Sequence, residues 1–296
     1  VTPVAFLGLG AIGRPMAVRV AARFPLTVWN RTGARSAEFA AETGARAATT
    51  PREAVQGVPI VITCLPTSAE VEALLNGPEG LLAGLAPGAL LVDCTSGDPA
   101  TSRRIASRLQ ALGVGFIDAP VSGGTNGAEA GTLTVMVGGE ADLLDRAAPV
   151  LSAFGSRVVR MGPVGTGHAM KAVNNALLAV NILAVGEALA ALVKAGVPAR
   201  TALDVLNASS GRSFVSETLV PERVLTGAFP KTFKLTLLQK DAGIAAGLLH
   251  DAGMSGPVIE LAHQLYGDAR ATLGDGADYL EAIKVIEAQA GVEIRG

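Results

Sequence analysis

The sequence predicts an α/β fold in two parts, a doubly wound sheet followed by an all-helical domain, with a long helix joining them. Three observations carry the prediction. Up to about residue 161, short apolar runs alternate with stretches of helical period, the pattern of a parallel sheet with helices on both faces. Beyond residue 165 the strand signal stops, and only helical patterns broken by turn residues remain. At 296 residues the chain also exceeds the usual size of one hydrophobic core. The boundary is expected between residues 163 and 164, giving domains of 1–163 and 164–296.

In the first domain, strands are expected at 4–7, 26–30, 60–65, 89–94, 116–119, 133–137 and 158–161. Each is a short apolar run bounded by turn residues. Helices are expected between them at 11–24, 34–43, 100–112 and 141–154, with Gly44, Gly57, Gly97 and Gly113 at element ends and Pro25 stopping the first helix. In the second domain the helices break at 196–198, 209–211, 227–230 and 274–276. No internal repeat or flexible linker interrupts the chain.

Composition narrows the function. Apolar residues make up 49% and charged residues 17%, which excludes a disordered chain. A net charge of −2 without a basic block argues against nucleic acid as a partner. Two cysteines, Cys64 and Cys94, cannot form a disulfide framework, and with no recognisable leader a cytoplasmic location is expected. Mean hydropathy is +0.42, and residues 176–193 are apolar on nearly every helical face. Asn181, Gly186 and Glu187 interrupt them, so burial between domains or subunits is expected rather than a membrane span.

Gly8-Leu9-Gly10-Ala11-Ile12-Gly13 follows a predicted strand and opens a predicted helix. In that context the first glycine permits a tight turn, the second lets backbone approach a pyrophosphate, and the third packs helix on strand. The helix N-terminus then faces the phosphates, so the first domain reads as Rossmann-type and binds a dinucleotide. An NAD-specific site places an acid at the end of the second strand to hold the ribose hydroxyls. Asn30-Arg31-Thr32 stands there instead. The Arg31 guanidinium suits a 2′-phosphate and Thr32 offers a hydroxyl, so NADP is expected, with NAD the weaker alternative. As residues alone, Arg31 also reads as a solvated charge and Thr32 as a helix N-cap.

Ligands of open parallel sheets sit beyond the carboxyl ends of the strands. The residues there are Leu65-Pro66-Thr67, Thr95-Ser96 and Pro120-Val121-Ser122-Gly123-Gly124. Ser122 with the Gly123 and Gly124 amides makes a nest suited to a carboxylate. Lys171 lies early in the long apolar helix, where an unpaired cation is costly. Carbonyl reduction builds negative charge on oxygen, which a lysine ammonium can neutralise and protonate, and Asn175 follows one turn later on the same face. The other reading of Lys171 is a snorkelling side chain at a helix start. His168, His250 and His263 lack metal-ligand spacing, and no metal is expected.

Four motifs in order resemble the β-hydroxyacid dehydrogenase family over essentially the whole chain: Phe6-Leu7-Gly8-Leu9-Gly10-Ala11-Ile12-Gly13, Asp118-Ala119-Pro120-Val121-Ser122-Gly123-Gly124, residues 167–175, and Lys240-Asp241. The resemblance implies that Ser122, Gly123 and Gly124 bind a substrate carboxylate. It also implies that Lys171 is the general acid or base supported by Asn175, and that Lys240 lies near substrate and cofactor. Leu65, Pro66, Thr67 and Thr95 match cofactor-contacting positions, Phe233 a position at the nicotinamide side, and Asp241 one that orients the site. Read alone, Phe233 is core and Asp241 a solvated charge. Asn207-Ala208-Ser209-Ser210-Gly211-Arg212-Ser213 is closest to the hydroxyisobutyrate branch. That branch implies interconversion of 3-hydroxyisobutyrate and methylmalonate semialdehyde. Reduction of tartronate semialdehyde, glyoxylate or succinic semialdehyde is the alternative, and a non-catalytic NADP-binding interaction module a remote one. Members of the branch often carry an acid where Asn30-Arg31-Thr32 stands and use NAD. The resemblance further implies a homodimer or homotetramer formed through the helical domain.

Overall fold

In a computed structural model, which describes residues 2–296, the chain folds as two compact units, the first ending at Lys171 and the second beginning at Ala172.

The first unit opens with β1 (Val4–Leu7), α1 (Gly13–Ala21), β2 (Leu26–Trp29), α2 (Gly33–Thr43), β3 (Arg46–Ala47), α3 (Pro51–Val55), β4 (Ile60–Thr63) and α4 (Ser68–Leu74). It continues through β5 (Leu90–Asp93), α5 (Pro99–Gln110), β6 (Gly115–Asp118), β7 (Val121–Ser122), α6 (Gly124–Ala130), β8 (Leu133–Gly138), α7 (Ala141–Leu151) and β9 (Gly155–Gly162). The strand order is β3-β2-β1-β4-β5-β6-β8-β7, with β9 on the free side of β8. From β3 to β6 every pairing is parallel, and the chain reverses its direction of winding between β1 and β4. In open sheets of this kind ligands bind at such a switch point, beyond the carboxyl ends of the strands.

Alternating strand residues feed two apolar layers, as expected of a sheet covered on both faces. Val4, Phe6, Ile60, Ile62, Leu90 and Val92 pack with Met16, Phe39 and Val150 from α1, α2 and α7. Ala5, Leu7, Val61 and Leu91 pack with Val55, Val71 and Ile105 from α3, α4 and α5.

The sheet is not parallel throughout, which corrects the sequence expectation. β8 runs antiparallel to β6 and β7, and pairs in parallel with β9. The physical reason is the short connection through β7 and α6, which returns directly instead of crossing a face of the sheet. Five elements were not anticipated. β3 and β7 have two residues each, and α3, α4 and α6 have five to seven, too few to show a period.

α8 (Thr166–Lys194) carries the chain into the second unit. The division falls inside this helix, a few residues beyond the expected 163/164 boundary. The reason is local: the Asp118 carboxylate, at the end of β6, accepts from the Gly165 N–H at 2.6 Å and the His168 N–H at 2.8 Å and ties the first turn of α8 to the sheet.

The second unit continues with α9 (Ala199–Asn207), a π-helical segment (Val215–Val224), α10 (Leu235–Asp251), α11 (Pro257–Leu273) and α12 (Ala282–Ala290). A single isolated bridge, Lys234 to Asp278, is its one β feature among the described residues. Leu189, Leu203, Val220, Leu235, Tyr266 and Ile283 belong to its core. The break between α10 and α11 was not anticipated, although Gly253, at φ 69°, and Gly256-Pro257 mark it. α8 is long and apolar enough to cross a membrane, with a window of mean hydropathy 2.2, but only 39% of that window is buried within the chain. Leu177 is among its exposed apolar residues. The expected burial is therefore incomplete in a single chain.

Candidate active site

The glycine loop between β1 and α1 assigns each glycine a separate task. Gly8 has φ 107°, and a Cβ there would stand 2.2 Å from the Cys64 carbonyl oxygen. A Cβ on Gly13 would stand 2.0 Å from the Gly8 carbonyl oxygen, so α1 packs on the loop only because this residue has no side chain. Gly10 is different: a Cβ there would meet nothing within 4 Å. The turn and the close packing use the outer glycines, and the middle one leaves open space where a pyrophosphate needs to approach backbone. Leu9, Ala11 and Ile12 complete the loop, which therefore fits a dinucleotide.

Asn30 braces this loop. Its Oδ1 accepts from the Leu9 N–H at 3.0 Å, and its Nδ2 donates to the Thr32 carbonyl at 3.1 Å. Thr32 stands at the N-cap of α2 without a side-chain capping bond, leaving its hydroxyl uncommitted to the helix. The Arg31 side chain is 83% exposed and reaches the Glu70 carboxylate at 3.4 Å. Such a solvated pair is weak and open to competition by a stronger anion.

At the end of β4, Thr67 caps α4. Its hydroxyl accepts from the Glu70 N–H at 3.3 Å, and Glu70 Oε2 accepts from the Thr67 N–H at 3.1 Å. Sequence reading missed α4, although Thr67-x-x-Glu70 is a capping box. Pro66 lies in the same loop. The Leu65 N–H donates to Thr95 Oγ1 at 3.1 Å, and the Thr95 N–H donates to Asp93 Oδ1 at 3.1 Å, so Thr95 joins the loops after β4 and β5. Burial pushes the neighbouring Cys64 thiol up to about 12, with the Asp93 charge adding to it, and burial drives Cys94 upward as well. Neither thiol is a nucleophile at neutral pH.

Ser122 sits on β7, paired across to Thr134 on β8. Gly123 and Gly124 follow with φ 136° and 65°, both exposed, at the start of α6. Both φ values are positive, a conformation that glycine adopts without the cost of a Cβ.

α8 carries Lys171 and, one turn on, Asn175. Within the second unit, Asn175 Nδ2 donates to Asp241 Oδ2 at 2.6 Å, while Lys240 Nζ lies 3.1 Å from Asp241 Oδ1. Asn174 Nδ2 donates to Asn175 Oδ1 at 3.1 Å. Asp241 is 1% exposed, which corrects its reading as a solvated charge: α10 turns it inward, and an amide and an ammonium satisfy it there. Phe233 packs on the helical core, edge-on to Tyr279 at 5.6 Å between ring centres. Its N–H donates to the buried Asp278 carboxylate at 2.9 Å. Sequence reading overlooked Asp278, Asp93 and the burial of His168. His250 is exposed and His263 lies at the core edge. Among the described residues, no three His, Cys, Asp or Glu side chains group as metal ligands would.

Two family models cover nearly the whole chain. Residues 3–162 match the NAD binding domain of 6-phosphogluconate dehydrogenase, and residues 165–286 match the NAD-binding domain of NADP-dependent 3-hydroxyisobutyrate dehydrogenase. The chain is 36% identical to 2-(hydroxymethyl)glutarate dehydrogenase of Eubacterium barkeri, over 99% of this chain and 97% of that one. The chain belongs to the β-hydroxyacid dehydrogenase family. It is 38% identical to an NAD-dependent L-serine dehydrogenase of Pseudomonas aeruginosa, over 89% of this chain and 90% of the relative. The solved structure of Mycobacterium tuberculosis 3-hydroxyisobutyrate dehydrogenase with L-serine superposes with a TM-score of 0.88 at 31% identity, covering 96% of this chain and 99% of that one. The protein is thus an NAD(P)-dependent oxidoreductase acting on a CH–OH group.

Proposed function

We propose that this dehydrogenase interconverts a short 3-hydroxy acid and its semialdehyde, with 3-hydroxyisobutyrate and methylmalonate semialdehyde as the leading pair and NADP as the preferred cofactor. The substrates named for the relatives share one chemistry, a primary alcohol on the carbon next to a carboxylate-bearing carbon, and differ in the third substituent. That common fragment needs an anion site and a proton carrier. The Ser122-Gly123-Gly124 nest supplies the first, and Lys171 the second.

The observation that carries the reading is Lys171, placed on the second turn of a helix whose first turn is tied to the sheet. The bound nicotinamide supplies or accepts the hydride. Lys171 takes the hydroxyl proton in oxidation and returns it in reduction, and its ammonium balances charge on the substrate oxygen. Asn175, held by Asp241, supports it, with Lys240 as the second ammonium on Asp241. NADP preference rests on Arg31 and Thr32 at the end of β2, with Asn30 fixing the loop between them and the glycines.

The test is a set of initial rates with NADP and with NAD on 3-hydroxyisobutyrate, L-serine, 2-(hydroxymethyl)glutarate, glycerate and 4-hydroxybutyrate. The expected result is the highest kcat/KM for 3-hydroxyisobutyrate with NADP. A preference for L-serine or hydroxymethylglutarate overturns the leading substrate while keeping the chemistry. One methyl-sized difference is worth only about 1–3 kcal/mol, so side activities on the other acids are expected. Lys171→Ala is expected to lower kcat about 100-fold or more while leaving cofactor affinity nearly unchanged. Retained turnover in that variant removes Lys171 from the mechanism.

We also propose a homodimer or homotetramer formed through the helical unit, because α8 is apolar yet incompletely buried in one chain. Leu177→Glu, at an exposed apolar position of α8, is expected to lower the mass measured by light scattering. An unchanged mass places the subunit contact elsewhere.

A further inference from the structure

The surroundings of His168 are not explained by any role assigned above. His168 is the third residue of α8, and its ring is fully buried. Ser102 Oγ, on α5, lies 2.6 Å from His168 Nδ1 and also donates to the Asp98 carbonyl at 3.0 Å. A hydroxyl has one proton, so the network assigns Nδ1–H of His168 as the donor to Ser102. His168 Nε2 then faces Asp93 Oδ2 across 3.9 Å, and both of these buried atoms lack a hydrogen-bond partner. The other Asp93 oxygen is held by Thr63 Oγ1 at 2.8 Å and the Thr95 N–H at 3.1 Å.

The same turn is fastened on its other side by Asp118. Burial pushes the Asp118 carboxyl up, against the attraction of His168 and the hydrogen bonds from Gly165 and His168. Glycines allow the close approach. A Cβ on Gly97 would stand 2.8 Å from His168 Cε1, and one on Gly167 would stand 2.3 Å from the Met136 carbonyl oxygen. An apolar side chain would fill the His168 position at lower desolvation cost, so a buried imidazole aimed at a carboxylate is expected to do more than fill space. What it adds is direction. A ring held by Ser102 at Nδ1, on a residue whose backbone N–H is held by Asp118, fixes how the first turn of α8 sits on the ends of β5 and β6.

We propose that His168 is a positioning residue: the buried Ser102–His168–Asp93 chain, with Asp118 capping the helix, sets the seat of the first turn of α8 and thereby where Lys171 presents its amine. The proposal rests on the reading of Lys171 as the proton carrier. His168 and Lys171 are three residues apart, neighbours on one side of the helix, so a small rotation of the first turn moves the lysine with it. Displacements of this size change the reaction rate more than they change binding.

The test compares His168→Leu, His168→Gln and Ser102→Ala with the native enzyme, all as full-length protein with its best substrate and cofactor. His168→Leu strands no new polar atom, since Ser102 keeps its bond to Asp98. It is expected to lower kcat about tenfold, to leave substrate KM and cofactor Kd within about twofold, and to shift the limb of the kcat–pH profile that Lys171 governs. His168→Gln keeps a side-chain amide that can bond to Ser102 and is expected to recover most of kcat. Ser102→Ala, which keeps the ring but removes its Nδ1 partner, is expected to fall between. If His168→Leu does not fold, the Gln and Ala variants carry the test through the same split of kcat from KM. A native kcat and pH profile in the folded variants overturns the proposal, as does a loss confined to thermal stability. Lys171→Ala is measured alongside: its retained turnover means that the lysine reading has failed, whereas its collapse beside a native-like His168→Leu means that only the positioning role has.

Discussion

Single residues in this protein show how much a side chain's meaning depends on what faces it. Arg31 is a solvated arginine paired weakly with Glu70, a pairing that leaves it able to turn to a stronger anion. Arg31→Asp is expected to weaken NADPH binding roughly 10- to 100-fold and to favour NADH, measured by fluorescence titration of both cofactors. An unchanged ratio removes Arg31 from cofactor selection. Asp241 is the opposite case, a buried carboxylate whose cost is offset by Asn175 and Lys240. Asn175→Ala deletes its shortest partner and is expected to lower stability by about 1–3 kcal/mol in denaturant unfolding, in addition to any loss of turnover. The same residue pair therefore ties α8 to α10 within the helical unit.

At the scale of elements, the glycine loop separates folding from binding within six residues. Gly13→Ala places a methyl against the Gly8 carbonyl and is expected to destabilise the first unit, seen as a lower Tm without cofactor. Gly10→Ala meets no atom of the protein, so its Tm without cofactor is expected to stay native while cofactor affinity falls. Equal effects of the two substitutions on stability would contradict this division. The loop and the helix that follows it are local in sequence, although Asn30 and Cys64 reach the loop from the ends of β2 and β4. That locality is why the loop itself could be recognised from six letters and the predicted strand before them. α4 was equally local and announced by its capping box, but its seven residues are too few for a periodic pattern.

For the molecule as a whole, the two units differ in how acid reaches them. In the helical unit, burial acts to raise Glu281, but Lys231, Lys284 and the Asp278 N–H outweigh it and hold the carboxyl down to about 2 from an ordinary 4.5. A carboxylate depressed in this way stabilises the fold fully above about 4.5, and the contribution is lost as pH falls through about 2. Screened by solvent, it is worth about 1 kcal/mol. Glu281→Gln is expected to flatten the acid limb of the stability curve between pH 5 and 2 without changing stability relative to native at the acid end. In the sheet unit Asp118 behaves in the reverse sense. Its folded state favours the protonated form, so its contribution weakens as pH rises through the range in which it ionises.

The sequence by itself determined the fold class, the glycine loop, the capacity to bind a dinucleotide and the family, because these are written in local periodicity and closely spaced motifs. It also placed Lys171 and Asn175 on one helix, since their spacing is a property of the helix itself. Only the tertiary structure decided that the sheet turns antiparallel beyond β6 and that α8 remains partly uncovered in one chain. It alone decided, too, that Asp241 is buried against Asn175 and that His168 lies between Ser102 and Asp93. The two hydrogen bonds that reveal these buried clusters, Asn175 to Asp241 and Ser102 to His168, each join residues 66 positions apart. No local pattern encodes such a meeting. It exists only where the packing of whole helices and strands brings both groups out of water and leaves each as the other's partner.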